Sequence, residues 1–312
     1  MQALTVVDNM NAVQTAGVTS NTLNNWIAYL DATPKTVETY TRAIRQFYYF
    51  LQDNSIDRPT REDILRYKEQ LQATKKPTTV QAYIMAVKQF FKWTAQEGLY
   101  PHIADHVKGA KLTAGFKKDY LTSKQASKLL KTIDRDTLKG KRDYAILSLM
   151  MTTGLRTIEV ERANIEDMRT VADFTALFIQ GKGREERTEY VKIAEPVEAA
   201  IREYLTARGK ADEKEPLFAS IAHRNGGERM TTRSISRIAK DNMITADLNS
   251  SRLTAHSLRH TAATLNLLNG GTVEETQQLL RHSNINTTLI YSHALERANN
   301  NSEDRIAGAL FA

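Results

Sequence analysis

The sequence predicts a mainly α-helical protein with one small β-sheet, built as an N-terminal helical bundle followed by a mixed α+β domain. Three observations carry this prediction. Apolar residues recur at helical offsets through most of the chain, as in Val37, Tyr40, Ile44, Phe47, Tyr48 and Leu51. Strand-like runs occur in one region alone, Phe174 to Gln180 and Thr188 to Ile193, around a Gly181-Lys182-Gly183 turn. Charge also divides the chain: residues 21–118 hold 15 Lys and Arg against 9 Asp and Glu, whereas residues 119–312 hold 28 against 26.

Residues 1–19 show no periodicity and read as a tail. The helical domain is expected over residues 20–112. Leu23, Trp26 and Leu30 open it. Pro34 then starts the Val37–Leu51 helix, where a first turn tolerates proline. Thr60 with Asp63 resembles a capping box, Asp standing for the usual Glu, and Ile64, Tyr67 and Leu71 give that helix its stripe. A further helix runs from about Thr79, with Val80, Ile84, Val87 and Phe91 inward and Gly98 as C-cap. The aromatics fall on the apolar stripes and read as core. Arg42, Arg45, Lys75, Lys76, Lys88 and Lys92 lie mostly off those stripes and are candidates to track a phosphate backbone. Residues 113–118 read as a linker, and Lys111, Lys117 and Lys118 on or beside it are further phosphate candidates.

The second domain is expected over residues 119–312. Ser123 opens a helix, and Asp143 to Met151 reads as a buried one. Gly154 interrupts it, and a helix restarts through Ile158, Val160 and Ala163. After the two strands, Pro196–Arg208, Thr231–Asn242 and the stretch beyond Thr254 read as helical. A short helix at about 303–312 carries Ile306, Leu310 and Phe311.

Composition bounds the class. The hydrophobic fraction is 41% and the charged fraction 25%, as in soluble globular proteins. No run reaches the ~18 apolar residues of a membrane span, and the N-terminus lacks the pattern of a signal peptide. There is no Cys, which removes disulfides and thiolate metal sites. The expectation is a cytoplasmic protein with no membrane association. A net charge of +7 suits a polyanionic partner.

The chemistry concentrates in Arg156, Glu159, Lys182, His256, Arg259, His282 and Tyr291. His256 and Arg259 share a helix face at i, i+3. Two guanidinium groups suit a phosphodiester, since each donates in a fork to its oxygens. Donors aimed at the charge that develops on phosphate contribute about 3–4 kcal/mol each. Tyr291 is the candidate nucleophile, and its attack conserves the phosphodiester energy in a covalent link. Lys182 at a hairpin tip suits a general acid for the departing alkoxide. His256 and His282 can move protons and hold phosphate oxygens, and Glu159 can orient a basic neighbour. His256 with His260 has the spacing of a metal pair, but no carboxylate accompanies it as in zinc hydrolases. No metal and no cofactor are expected.

Four segments carry a resemblance: T-T-G-L-R-T-I-E (152–159), G-K-G-R-E-E-R (181–187), H-S-L-R-H-T (256–261) and L-L-R-H-S-N-I-N-T-T-L-I-Y (279–291). In this order they resemble the signature boxes of the tyrosine recombinases, the phage-integrase and Xer-like DNA strand-exchange enzymes. The resemblance covers the C-terminal half, and the N-terminal half is similar to the family's core-binding, SAM-like domain. It implies Arg156 and Arg259 as the catalytic arginines and Tyr291 as nucleophile. It also implies Lys182 as general acid, His256 and His282 as the active-site histidines, and Glu159 as the acidic residue of the first box. It further implies duplex DNA as partner, a homotetramer on two paired sites, and a C-terminal helix docked on a neighbouring protomer. A type IB topoisomerase-like strand relaxer and a catalytically idle DNA-binding regulator are the alternatives. The layout looks Xer-like, because about 20 residues ahead of the helical domain leave little for an arm-binding domain. Target sequence and biological role (integration, dimer resolution or inversion) are not legible.

Overall fold

The computed structural model describes residues 18–111, 119–181, 186–298 and 300–311. The tail up to residue 17, the linker 113–118 with Lys117 and Lys118, and Lys182 lie outside the described residues. The chain divides into two compact units, 1–114 and 115–312.

In the first unit α1 (Ser20–Tyr29), α2 (Pro34–Asp53), α3 (Arg61–Thr74) and α4 (Pro77–Gln96) form the bundle. Local chemistry sets the helix starts. Thr33 caps α2 ahead of Pro34, whose missing N–H is one that a first turn leaves unpaired anyway. The Asp63 carboxylate accepts from the Thr60 N–H at 2.8 Å, closing the Asp version of the capping box. The core is aromatic. Phe47 meets Tyr67 and Phe91 edge-on at 5.1 and 5.9 Å, and Trp26 meets Phe90 at 5.6 Å. Such edge-to-face pairs add to the burial of each ring. The stripe aromatics Trp26, Phe47, Tyr67 and Phe91 are therefore core, whereas Tyr29 and Tyr49 are exposed.

The second unit is organised on α6 (Leu138–Thr153), which packs against α8 (Glu195–Arg208) and α10 (Ala255–Leu268). α6 is buried over most of its circumference, as an all-round apolar helix must be. Its two buried charges pair with each other: Arg142 donates to Asp143 Oδ1 at 2.7 Å. α5 (Ser123–Lys131) and α9 (Thr232–Thr245) join the same core, and α7 (Thr157–Arg162) follows the break at Gly154. α11 (Val273–Leu280), α12 (Asn286–Ala298) and α13 (Ser302–Phe311) complete the helices.

The sheet has three antiparallel strands in the order β1 (Met168–Val171), β2 (Phe174–Ile179), β3 (Glu189–Lys192). Two strands were expected, and β1 is the addition. Its four residues run half-buried, exposed, exposed, half-buried, so no alternation marks it in sequence. Pairing with β2, Met168 opposite Leu177, makes it a strand. Leu177, Ile179 and Val191 turn one sheet face into the helical core.

Candidate active site

Three of the four boxes, remote in sequence, converge within the second unit. α10 supplies His256, Arg259 and His260. Its first turn is set by Thr254, whose N–H donates to Ser257 Oγ at 3.0 Å. A pocket of about 430 Å³ is lined by Arg156, Thr157, His256 and Arg259 among others.

Arg259 is 2% exposed and ties two boxes together. Its guanidinium donates through Nη1 to the Gly154 carbonyl and through Nη2 to the Leu280 carbonyl. A guanidinium has five N–H donors, so others are left for a ligand. Burial, then the charges of Arg156 and Arg281, push its pKa down to about 9, which leaves it protonated at neutral pH. Gly154 permits this approach. It sits at φ +64°, and a Cβ there would lie 2.7 Å from Leu280 Cδ2.

Arg156 is the residue before α7. Its N–H donates to Glu159 Oε2 at 2.7 Å and its Nη1 to Glu159 Oε1 at 2.9 Å. The Arg156 side chain is 32% exposed, while that of Glu159 is 1% exposed. Glu159 thus orients the arginine from beneath and leaves it an open flank.

Tyr291 comes from α12 and is 4% exposed. Its Oη lies 2.7 Å from His260 Nδ1. Burial pushes its pKa up to about 12, and the positive charges of Arg259 and Arg156 oppose the rise. At neutral pH the phenol is therefore protonated. His260 packs edge-on against His256, ring centres 4.6 Å apart. Burial first, then His256, Arg259 and His282, hold its pKa down to about 4. His282 Nδ1 pairs with Thr288 Oγ1 at 2.9 Å, and burial followed by Arg259 and Arg156 brings it to about 4 as well. His256 stands at the exposed rim. The protein wall behind its ring, then Arg259 and Arg156, lower its pKa too. All three imidazoles are neutral at neutral pH.

The structure therefore gathers Arg156, Glu159, His256, Arg259, His282 and Tyr291. For the hairpin that carries Lys182, it describes the base. Arg162 Nη1 donates to the Gly181 carbonyl and Arg187 Nη2 to the Arg162 carbonyl, each at 3.1 Å. His260 and Arg281 also belong to the cluster, and sequence reasoning had given neither a role at the site. His260 stood out in sequence only as half of a metal-like His pair. Among the described residues no group of His, Asp and Glu is placed to hold a metal ion.

The phosphate candidates of the first unit differ among themselves. Arg45, Lys75, Lys76, Lys92 and Lys111 are exposed, and Arg42 is exposed but paired with Glu38 at 2.7 Å. Arg42 and Arg45 border a concave face with Tyr49 and Tyr83. Lys88 is half-buried, and its Nζ donates to the Val107 carbonyl at 3.2 Å, so its charge serves the fold. Among the described residues no helix is long and apolar enough to cross a membrane.

Comparison with known proteins follows the same division. Residues 119–297 match the phage integrase family, and residues 20–100 match the phage integrase N-terminal SAM-like domain. The chain is 31% identical to the tyrosine recombinase XerA of Pyrococcus furiosus over 291 residues, 90% of this chain and 94% of that protein. It is 30% identical to the tyrosine recombinase XerC of Pelobacter propionicus over 270 residues, 83% and 85% of the two chains. In fold it is similar to a lambda integrase dimer bound to a COC′ core site. That match has a TM-score of 0.70 at 17% identity and covers 88% of this chain and 94% of that one. By its matched domains and the extent of these identities, the chain belongs to the phage integrase family and is a tyrosine-type site-specific recombinase.

Proposed function

We propose that the protein cuts and rejoins duplex DNA through a 3′-phosphotyrosyl link at Tyr291. The observation that carries this reading is the placement of the Tyr291 hydroxyl against the neutral imidazole of His260, within the field of Arg156 and Arg259. Arg156 and Arg259 hold the non-bridging oxygens of the scissile phosphate. Tyr291 Oη attacks phosphorus as its proton passes to His260 Nδ1. The P–Oη bond forms, the bond from phosphorus to the 5′ oxygen breaks, and that oxygen takes a proton from Lys182. His256 and His282, neutral and beside the arginines, donate to phosphate oxygens as negative charge grows on them. Glu159 keeps Arg156 in place. In the second half a 5′-hydroxyl of a partner duplex gives its proton to Lys182 and attacks phosphorus, the P–Oη bond breaks, and His260 returns the proton to Tyr291. Each step exchanges one phosphate ester for another, so no cofactor is needed.

Exposed Arg42, Arg45, Lys75, Lys76, Lys92 and Lys111, with Lys117 and Lys118, are the proposed backbone contacts on duplex DNA. The assembly is a homotetramer on two paired sites. Support comes from α13, which buries none of its residues and exposes Ile306, Leu310 and Phe311, the last 86% exposed. Docked on a neighbour, this helix would couple the placement of Tyr291 to the assembly. The outcome is integration and excision, or resolution, of DNA.

The test starts from a pool of nicked duplexes of random sequence, from which the protein selects its own substrate by forming a denaturant-resistant adduct. The wild-type protein is expected to yield such adducts and Tyr291→Phe none, with equal duplex binding by both. Adducts from the Phe variant would remove Tyr291 as nucleophile.

A further inference from the structure

We propose that Arg281 is a positioning residue for the scissile phosphate, acting through Glu159 on Arg156. Three observations point to it. Arg281 Nη2 donates to Glu159 Oε2 at 2.9 Å, across 122 positions of sequence, while Arg156 Nη1 occupies Oε1. One buried carboxylate thus holds two guanidinium groups on its two oxygens. The Arg281 side chain is 8% exposed, against 32% for Arg156, so Arg156 is the one that can meet a ligand. Arg281 also stands where an arginine is costly. It caps the C-terminus of α11 at φ +53°, a left-handed conformation that glycine adopts freely and a residue with a Cβ adopts at a cost. Strain of this kind persists where surrounding structure over-determines it, and it concentrates at functional sites.

Charge supplies the reason. Arg156 and Glu159 alone make a neutral pair, with the guanidinium drawn onto the carboxylate. Adding Arg281 makes the triad net positive and divides the carboxylate between two cations, leaving Arg156 freer to turn its remaining donors on an anion. The segment Leu280-Arg281-His282 then addresses three parts of the site at once. The Leu280 carbonyl fixes Arg259, Arg281 fixes Glu159, and His282 is itself held by Thr288.

This inference rests on the phosphotyrosyl reading, and the experiment separates the two. The probe is the nicked duplex selected above, used with an ordinary scissile phosphate and with a neutral methylphosphonate at the same bond. Arg281→Gly removes the guanidinium and relieves the backbone. It is expected to slow adduct formation about 10–100-fold on the phosphate, the scale of losing an outer-shell partner, and to leave the methylphosphonate rate nearly unchanged. The loss should fall on the rate at saturating duplex rather than on KM, and Arg281→Lys should restore part of it. In combination with Glu159→Gln the Arg281→Gly effect should largely vanish, because the two act as one unit. Equal loss on both substrates, or a rate equal to wild type, overturns the role of Arg281 and leaves the phosphotyrosyl reading standing. Should Arg281→Gly fail to fold, Arg281→Gln is judged by the same ratio. Absence of any adduct from the wild-type protein overturns both.

Discussion

His260 Nδ1 lies 2.7 Å from Tyr291 Oη, joining the middle of α10 to a phenol 31 residues further along the chain. The two groups are placed for proton transfer during attack: a phenol whose pKa is near 12 and an imidazole kept neutral by burial. Transfer between them in the resting site is uphill. It becomes favourable only as phosphorus takes up the oxygen, which suits a base that must not ionise the tyrosine prematurely.

Replacing His260 by Ala should therefore slow adduct formation by about 10²–10⁴-fold, the usual range for a general base. The residual rate should rise tenfold per pH unit, because the variant depends on tyrosinate, whereas the wild-type rate levels off. Duplex binding should be unchanged. An unaltered rate, or parallel pH profiles, would deny His260 the proton.

Acid should weaken the second unit. Folded His260 and His282 take up protons near pH 4, whereas the ordinary imidazole does so at 6.5. Between these values the unfolded chain binds more protons than the folded one. Stability is thus fully present above 6.5 and falls as pH drops towards 4. The scale is about 3 kcal/mol for each imidazole, reduced by whatever water reaches the rings. Thermal melts of wild type and His260→Gln near neutral pH and at about pH 5 should show a shallower acid loss in the variant. Identical slopes would mean that His260 is not held neutral.

Gly154→Ala should cost about 1–3 kcal/mol. The added methyl meets Leu280 and the backbone stays at positive φ. The carbonyl that receives Arg259 would shift with it, so adduct formation should fall further than the melting temperature suggests. Full activity at normal stability would show that Arg259 does not depend on this approach.

Deleting residues 303–311 should impair cooperative assembly on paired sites while sparing binding to a single site. The deleted segment buries nothing within its own chain. Gel-shift titration on one-site and two-site duplexes separates these effects, and unchanged cooperativity would count against docking in trans.

The amino-acid sequence by itself determined the helices and singled out most of the candidate reacting groups. Stripe periodicity, Pro34, the Thr60–Asp63 cap and the break at Gly154 are all short-range features, and each is realised in the structure. The candidates Arg156, His256, Arg259, His282 and Tyr291 stood out by residue type and local spacing, and the resemblance of their boxes to the tyrosine recombinases implied their roles. Tertiary structure alone decided what happens between boxes. β1 becomes a strand only through its partner β2. His260 becomes a partner of Tyr291 only because α12 folds back on α10, turning half of an apparent metal pair into a contact on the proposed nucleophile. Arg281 had no role assigned from the sequence, and its guanidinium lies on a carboxylate 122 residues away. Local spacing cannot report such contacts, because burial sets both the neutrality of the imidazoles and the pairing of the arginines. Burial belongs to the packed chain.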